Sequence, residues 1–419
     1  MPPASHDPPA AADTAPLEGV VVLDLTRVLS GPYATMLLGD LGATVIKIED
    51  PRGGDTTRHS APFKGGQSHY FLSVNRNKKS VALDISTPEG AKVLLDLCRR
   101  ADVLIENFRP GTMARLGLDA ATLRTANPDL IVCSISGFGQ AGPLRDRIAY
   151  DVITQAMSGV LSTNGEPEGA PVRLSIPIGD LTGGLLSVIG ILASLFGRQA
   201  RRGRRDVDVS LHDGLLSLLG YLGTLYDVSG KVPPRTGSRH QSIVPYGTFR
   251  TQDGWLALAI FTTRFWEKFC VAVGRPGLAA DERFRTTKDR MRNRDALETL
   301  VEDIVGQRTT AAWEEAFSAA DVPASGILSI ADALEHEHTQ ARGMFPAVAH
   351  PAYGSVRVPG APLRLGGDQA DHPLPPPLLG EHSVQVLRDL LEMDEAAVAG
   401  LQASGVIRTP DARAQGEPA

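Results

Sequence analysis

The sequence predicts an α/β protein, with a Rossmann-like open sheet forming a large domain and a smaller α/β domain beside it. Three observations predict it. Residues 20–25 read V-V-V-L-D-L, a continuous apolar run of the kind buried on both faces of a parallel sheet. Similar runs then alternate with helical patterns, the order that yields a sheet with helices on its faces. From about Tyr226 the texture changes, and G-T-F-R-T-Q-D-G-W-L-A-L-A-I (247–260) reads as a hairpin turning at Asp253–Gly254.

The elements follow in order. Ordered sequence begins near Leu17. After the first strand a helix opens at S-G-P (30–32), with Ser30 a candidate cap and Pro32 suited to the first turn. It stops near G-D-L-G (39–42), and A-T-V-I-K-I-E (43–49) gives the next strand. The unit recurs as S-V-A-L-D (80–84), a helix from Thr87–Pro88 to Arg100, and D-V-L-I-E-N (102–107). L-I-V-C-S-I-S (130–136) adds a strand, as does D-V-D-V-S-L (206–211). Between them an apolar helix ends in G-R-Q-A-R-R-G-R-R (197–205), cations that complement a helix C-terminus. Amphipathic helices are expected at 263–273, 293–307 and 310–320. A further helix, strands within 356–365, a proline-rich linker and a last helix complete the chain. The division expected is a disordered tail (1–16), the first part of the large domain (17–225), the small domain (226–330), a return to the large domain (331–407) and a second tail (408–419).

Composition excludes several classes. At 419 residues the chain exceeds one ordinary core. Its 42% hydrophobic and 21% charged content is that of a soluble globular protein. A net charge of −6 argues against nucleic acid or an anionic membrane as partner. Cys98, Cys133 and Cys270 are scattered, without disulfide or zinc spacing, which fits a reducing compartment. The N-terminal residues lack the basic and apolar regions of a signal peptide. The longest apolar stretch, 185–196, is shorter than the roughly 20 residues of a membrane span. A cytoplasmic protein is expected.

Several motifs bear on chemistry. G-F-G-Q-A-G (137–142) satisfies G-x-G-x-x-G after a strand, but Pro143 follows and no helix starts there to meet a pyrophosphate. It reads as a glycine-rich loop beside a site. In E-H-E-H (335–338) the two histidines point to different helix faces, so no metal site is expected. His212–Asp213 lacks the serine elbow that a hydrolytic triad needs. N-R-N-K-K-S (75–80) precedes a strand and N-F-R-P-G-T-M-A-R (107–115) follows one. Both offer cations at strand ends, either as phosphate clamps or as surface loops. The most pointed stretch is I-P-I-G-D-L-T-G-G (176–184). Asp180 there is a lone carboxylate opening a long apolar helix, either a helix cap or a catalytic group.

Together these pieces resemble the family III CoA-transferases, the group that contains formyl-CoA transferase, carnitine CoA-transferase and α-methylacyl-CoA racemase. The resembling segments include V-V-V-L-D-L-T-R-V-L-S-G-P-Y-A, L-G-A-T-V-I-K-I-E, D-V-L-I-E-N-F-R-P-G, S-I-S-G-F-G-Q-A-G-P, Y-D-V-I-T-Q-A-M-S-G, I-G-D-L-T-G-G and the closing L-L-G-E-H-S. Their order spans nearly all of residues 17–407. The resemblance implies that Asp180 is a nucleophile attacking an acyl-CoA thioester, with an aspartyl-CoA intermediate from which an acceptor carboxylate takes the CoA. It implies CoA contacts at Val28, Ser30, Lys78, Asn107, Phe108 and Arg115, the cations meeting phosphates. It places Tyr150 and Asp151 near the active site. Gly179, Gly183 and Gly184 are expected to let thioester and acyl group come close, and backbone N–H groups of the helix start to stabilise an oxyanion. Coenzyme A enters as a substrate, with no permanently bound cofactor, and two chains are expected to interlock as a homodimer. The chain departs from the formyl-CoA transferases at Arg27 and Leu29 and in lacking a glycine-rich loop around 243–248. Where the racemases have His-Asp it has Tyr150–Asp151, and tyrosine is a poor base near neutral pH. CoA transfer is therefore expected, ahead of acyl-CoA racemisation and of a non-catalytic nucleotide-binding module.

Overall fold

The computed structural model describes residues 15–200, 206–365 and 374–410. Most of the two expected tails, the end of the basic run at 201–205 and the centre of the proline-rich linker lie outside the described residues. The chain splits into two compact units. One collects the described residues of Met1–Ser158, Ser175–Leu218 and Gln340–Ala419, and the other is Gly159–Leu174 with Leu219–Thr339.

The first unit is built on a sheet of six parallel strands: β1 (Val21–Asp24), β2 (Thr44–Glu49), β3 (Lys78–Leu83), β4 (Val103–Glu106), β5 (Ile131–Ser136) and β6 (Val207–Ser210). Their spatial order is β3-β2-β1-β4-β5-β6, with the short strand Ile407–Arg408 pairing antiparallel on the β3 edge. That order reverses direction between β1 and β4, the switch point at whose C-terminal ends open α/β sheets bind ligands.

Strand alternation sorts the side chains into two apolar layers. Leu23, Ile46, Val81 and Leu104 face helix α3 (Pro88–Cys98) and the C-terminal helices Ser383–Leu391 and Glu395–Ala403. Val22, Val45, Val103 and Ile131 face helix α1 (Ser30–Asp40) and the later helix Ile178–Gln199. Between α1 and β3 lies a six-residue helix, α2 (His69–Val74). Helix α4 (Asp151–Met157), helix α5 (Ile178–Gln199) and helix α6 (Leu211–Leu218) carry the chain past the glycine-rich loop and β6. Thr87 caps α3, with Pro88 in its first turn, as the sequence predicts. The start of α1 differs: Leu29 is its cap and Ser30 lies inside the helix. Of the strands expected within 356–365, only the hairpin strand Gly354–Arg357 overlaps that span.

Helix α5 is longer than its apolar stretch suggests. Its 22 residues make it, among the described residues, the one helix long and apolar enough to cross a membrane by length and composition. Here it packs on the sheet and on α1 through small residues. A Cβ on Gly183 would stand 2.3 Å from Leu211 Cδ2, and one on Gly184 would stand 2.7 Å from the Ser30 carbonyl. Only glycine allows this approach, because the Ser30 obstacle is backbone and cannot rotate away.

The second unit holds a three-stranded antiparallel sheet, β7 (Tyr246–Arg250), β8 (Trp255–Ala259) and β9 (Ala324–Gly326), in the order β9-β8-β7. Its core is aromatic: Trp266, Phe269, Phe284, Trp313 and Phe317 are buried together. Arg290 is buried among them and donates to the carbonyls of Val244 and Phe284, each at 3.1 Å.

Gly184→Ala is expected to lower unfolding free energy by about 1–3 kcal/mol through collision with the Ser30 carbonyl. Gly223→Ala, within the helix Tyr221–Ser229 and with nothing within 4 Å of its added Cβ, is expected to stabilise by about 0.5–1 kcal/mol as a helical glycine replacement. Urea unfolding of the two variants checks the contrast, and equal losses would contradict it.

Candidate active site

Asp180 is the third residue of α5, whose N-cap is Pro177 and receives no side-chain cap. Asp180 is therefore not the cap of its own helix. Asp151, the first residue of α4, takes that place from outside: its Oδ1 accepts the backbone N–H of Gly179 at 2.7 Å and of Asp180 at 3.3 Å. Its Oδ2 accepts the Gln155 side-chain amide at 2.6 Å. The helix-start N–H groups expected to stabilise an oxyanion are thus engaged by a protein carboxylate. The Asp180 carboxylate has no hydrogen-bond partner among the described residues. Burial, and then the negative charge of Asp151, push it up to about 7.

The three glycines lie where the sequence predicts, but the room they leave is filled by protein. A Cβ at Gly179 would come within 2.9 Å of Asp151 Oδ1 and 3.0 Å of Thr154 Oγ1. Gly183 and Gly184 admit Leu211, Ser30 and Tyr33. Their smallness draws α1, α4 and α6 against α5.

The loop after β1 is held in strain. Val28 has φ of 71°, a left-handed conformation that a β-branched residue adopts at a cost of about 1–3 kcal/mol. Its N–H donates to both Asp55 oxygens at 3.2 Å. Asp55 also pairs with Lys47 at 3.2 Å, and Lys47 Nζ donates to the Thr26 carbonyl at 2.8 Å. Register places Asp24 opposite Lys47 and Lys47 opposite Ser80, so Lys78 shares their face. Burial pushes the Asp24 carboxyl up, but Lys47 and Lys78 outweigh it and hold it well below the usual carboxylate range.

This arrangement corrects the expectation for Lys78. Its ammonium is buried, and its three N–H groups go to Asp24 at 3.0 Å, the Pro32 carbonyl at 2.9 Å and Asn75 at 2.9 Å. No donor is left for a phosphate. Lys78 holds the start of α1, and burial draws its ammonium down to about 8 against the attraction of Asp24. The two cationic segments also sit at opposite ends of the sheet, since 75–80 enters β3 and 107–115 leaves β4. Ser30 is 4% exposed, and its Oγ lies against Gly183 without a hydrogen-bond partner.

An open cleft of about 180 Å³ lies at the C-terminal strand ends. Leu25 and Arg27 line it after β1, Asp50 and Arg52 after β2, Ile85 and Ser86 after β3, and Phe108 and Thr112 after β4. Phe108 lines it with the Arg27 guanidinium 5.1 Å from its ring centroid. Asn107 is turned to the protein: its amide donates to the Arg27 carbonyl at 2.8 Å and accepts the Arg27 N–H at 2.9 Å. Arg115 is exposed nearby and bonds Thr112 at 2.8 Å. Arg27 lines the cleft while Val28 and Ser30 turn to the α1–α5 side, so four consecutive residues join the two regions. Tyr150 is the N-cap residue of α4 and is 72% exposed.

Sequence reasoning missed Tyr70, Arg27 and the segment 83–86. Tyr70 packs on the buried cluster of Leu29, Met36 and Val74, as do Val28 and Leu181, and burial, followed by Asp180, Asp55 and Asp151, raises its phenol to about 12. The segment 83–86 follows a strand, which at a switch point was signal enough. For Tyr70 no local pattern distinguishes a site residue from a core aromatic. Among the described residues no group of three His, Cys, Asp or Glu side chains is placed to hold a metal ion.

The model of CoA-transferase family III matches residues 17–383. The chain is 38% identical to a succinyl-CoA:glutarate CoA-transferase of Mus musculus, over 94% of this chain and 90% of the relative. It is 39% identical to an acetyl-CoA:oxalate CoA-transferase of Acetobacter aceti, over 87% and 93%. The crystal structure of a CAIB/BAIF family protein from Brucella suis superposes with a TM-score of 0.81 at 35% identity, covering 90% of this chain and 100% of that one.

The raised Asp180 carboxyl has a consequence for stability. Its value moves from 3.8 in the free state to about 7 in the fold, so between about pH 4 and pH 7 the folded protein binds the extra proton. Stability therefore falls as pH rises through that window. Asp180→Asn is expected to match the native protein near pH 4 and to exceed it by about 1–3 kcal/mol near pH 8. Urea unfolding across pH checks this; a difference that does not grow with pH would contradict it.

Proposed function

The chain belongs to CoA-transferase family III and is an acyl-CoA:carboxylate CoA-transferase; we propose that it works through a covalent aspartyl-CoA intermediate on Asp180. The observation that carries this reading is the state of Asp180: a carboxylate at a helix start, free of protein partners and poised near neutrality. An ordinary carboxylate is a weak nucleophile, and a more basic one attacks more readily.

The steps balance without a further reactant. An Asp180 oxygen attacks the thioester carbonyl, giving a mixed anhydride and CoA thiolate. The thiolate attacks the Asp180 carbonyl, forming aspartyl-CoA and releasing the donor acid. The acceptor carboxylate attacks that thioester, giving a second anhydride and thiolate. The thiolate then attacks the acceptor carbonyl, and Asp180 leaves as a carboxylate. The cleft beside Arg27 and Phe108 offers an aromatic face with a cation over it, suited to the adenosine and phosphate end of CoA. The position of Val28 between cleft and helix supports a path for the pantetheine arm, with Ser30 buried behind it. Short dicarboxylates are the acid substrates, a class supported by the relatives named above.

The racemase alternative needs a second acid/base group opposed to Asp180. Tyr150 does not suit it: the side chain is exposed and phenolic. We further infer a homodimer. Leu185, Ile189 and Phe196 are each about half or more exposed along α5, and Leu216 and Leu218 continue the apolar surface on α6. Exposed apolar side chains on two neighbouring helices favour a protein interface.

Two measurements test the reading. Peptide mass spectrometry after incubation with succinyl-CoA is expected to find a hydroxylamine-labile CoA adduct on the Asp180 peptide, absent in Asp180→Asn. Turnover without any such adduct, under rapid quench, would sink the covalent route. Light scattering is expected to give twice the chain mass, and Ile189→Arg to weaken that association at least tenfold; a monomeric native protein would contradict the dimer.

A further inference from the structure

Asp151 and Asp180 lie 29 residues apart in sequence and meet at the start of one helix. A helix N-terminus carries about half a positive charge and normally favours one anion. Here two carboxylates share it, and the hydrogen bonds go to one of them. We propose that Asp151 is the positioning residue of this active site: by accepting the N–H groups of Gly179 and Asp180 it fixes the helix start that presents Asp180, and it keeps those donors from Asp180 itself. The inference rests on the reading of Asp180 as nucleophile.

The geometry explains why the charge is placed there. Gln155 holds the second Asp151 oxygen at 2.6 Å, so the carboxylate cannot turn away from the helix. Gly179 is required by the same contact, because a Cβ there would crowd Asp151 Oδ1 at 2.9 Å. Other titratable groups on elements packed against α5 are Tyr33 and Asp40 on α1, Cys133 on β5, Asp208 on β6, and His212 with Asp213 on α6. Tyr70 reaches the site from α2. None of these bonds the backbone at the start of α5 among the described residues, as Asp151 does.

The arrangement favours the covalent state. Ionised Asp180 sits near the Asp151 charge, without the N–H groups that would compensate it. When Asp180 becomes an anhydride or a thioester its charge is gone, and so is the repulsion. Asp151 thereby raises the free carboxylate relative to aspartyl-CoA and makes the carboxylate a stronger nucleophile, through position alone and without touching substrate.

Asp151→Asn and Asp151→Ala separate charge from hydrogen bonding, since Asn keeps an acceptor for the two N–H groups. The titration of Asp180 is read without catalysis, from the pH dependence of the stability difference made by Asp180→Asn, in native and Asp151→Asn backgrounds. The expected result is a midpoint about one pH unit lower in the Asp151→Asn background, near-native melting, and about tenfold less CoA adduct at equal succinyl-CoA. Asp151→Ala is expected to lose adduct and melting temperature together. An unmoved Asp180 midpoint with native adduct levels in Asp151→Asn would overturn the proposal and leave Asp151 as a cap. Absence of adduct in the native protein would instead remove the nucleophile reading, while the titration still decides what Asp151 does to Asp180.

Discussion

The site depends on an ionic cluster buried at the end of the first strand. Asp24, Lys47 and Lys78 lie on one face of the sheet, and Asp55 completes the set from the loop beyond β2. Removing one member of such a cluster costs about 3–5 kcal/mol, because it strands the opposite charge. That is more than the strain of a left-handed valine, so the cluster holds Val28 in a conformation the chain alone would not keep. With Val28 fixed, Ser30 begins α1 against the glycines of α5, and the approach of α1 to α5 aims Asp180.

Two demands meet on α5. Its glycines draw three neighbouring helices close, which rigidifies the element and places its first turn. The same turn sets Asp180 beside Asp151 of α4, and burial followed by that neighbouring charge raises Asp180 to about 7. This is a local cost to stability, placed at the carboxylate proposed to react. Rigid support around a strained reactive group is the usual compromise between stability and activity.

Much of the fold was legible in the sequence because the parallel strands are buried on both faces and read as apolar runs. The Thr87–Pro88 helix start and the Asp253–Gly254 hairpin were legible because their chemistry is local. Asp180 stood out as a lone acid before an apolar helix. What lay beyond reach was tertiary. Lys78 reads as a phosphate cation in a basic run, and only strand register shows that it points inward at Asp24. The glycines of 179–184 read as space for substrate, whereas neighbouring helices fill it. The cap of α5 comes from Asp151, 29 residues earlier, which no local rule connects to that helix.

If Asp180 enters the reaction covalently, the fate of oxygen reveals it. In the proposed sequence the last step leaves an acceptor oxygen on Asp180 as the carboxylate departs. A single turnover of succinyl-CoA with an ¹⁸O-labelled dicarboxylate acceptor is therefore expected to place one labelled oxygen in the Asp180 peptide, seen as a mass increase of about two daltons. Efficient turnover that leaves the Asp180 peptide unlabelled would contradict the account and make Asp180 a spectator to direct transfer.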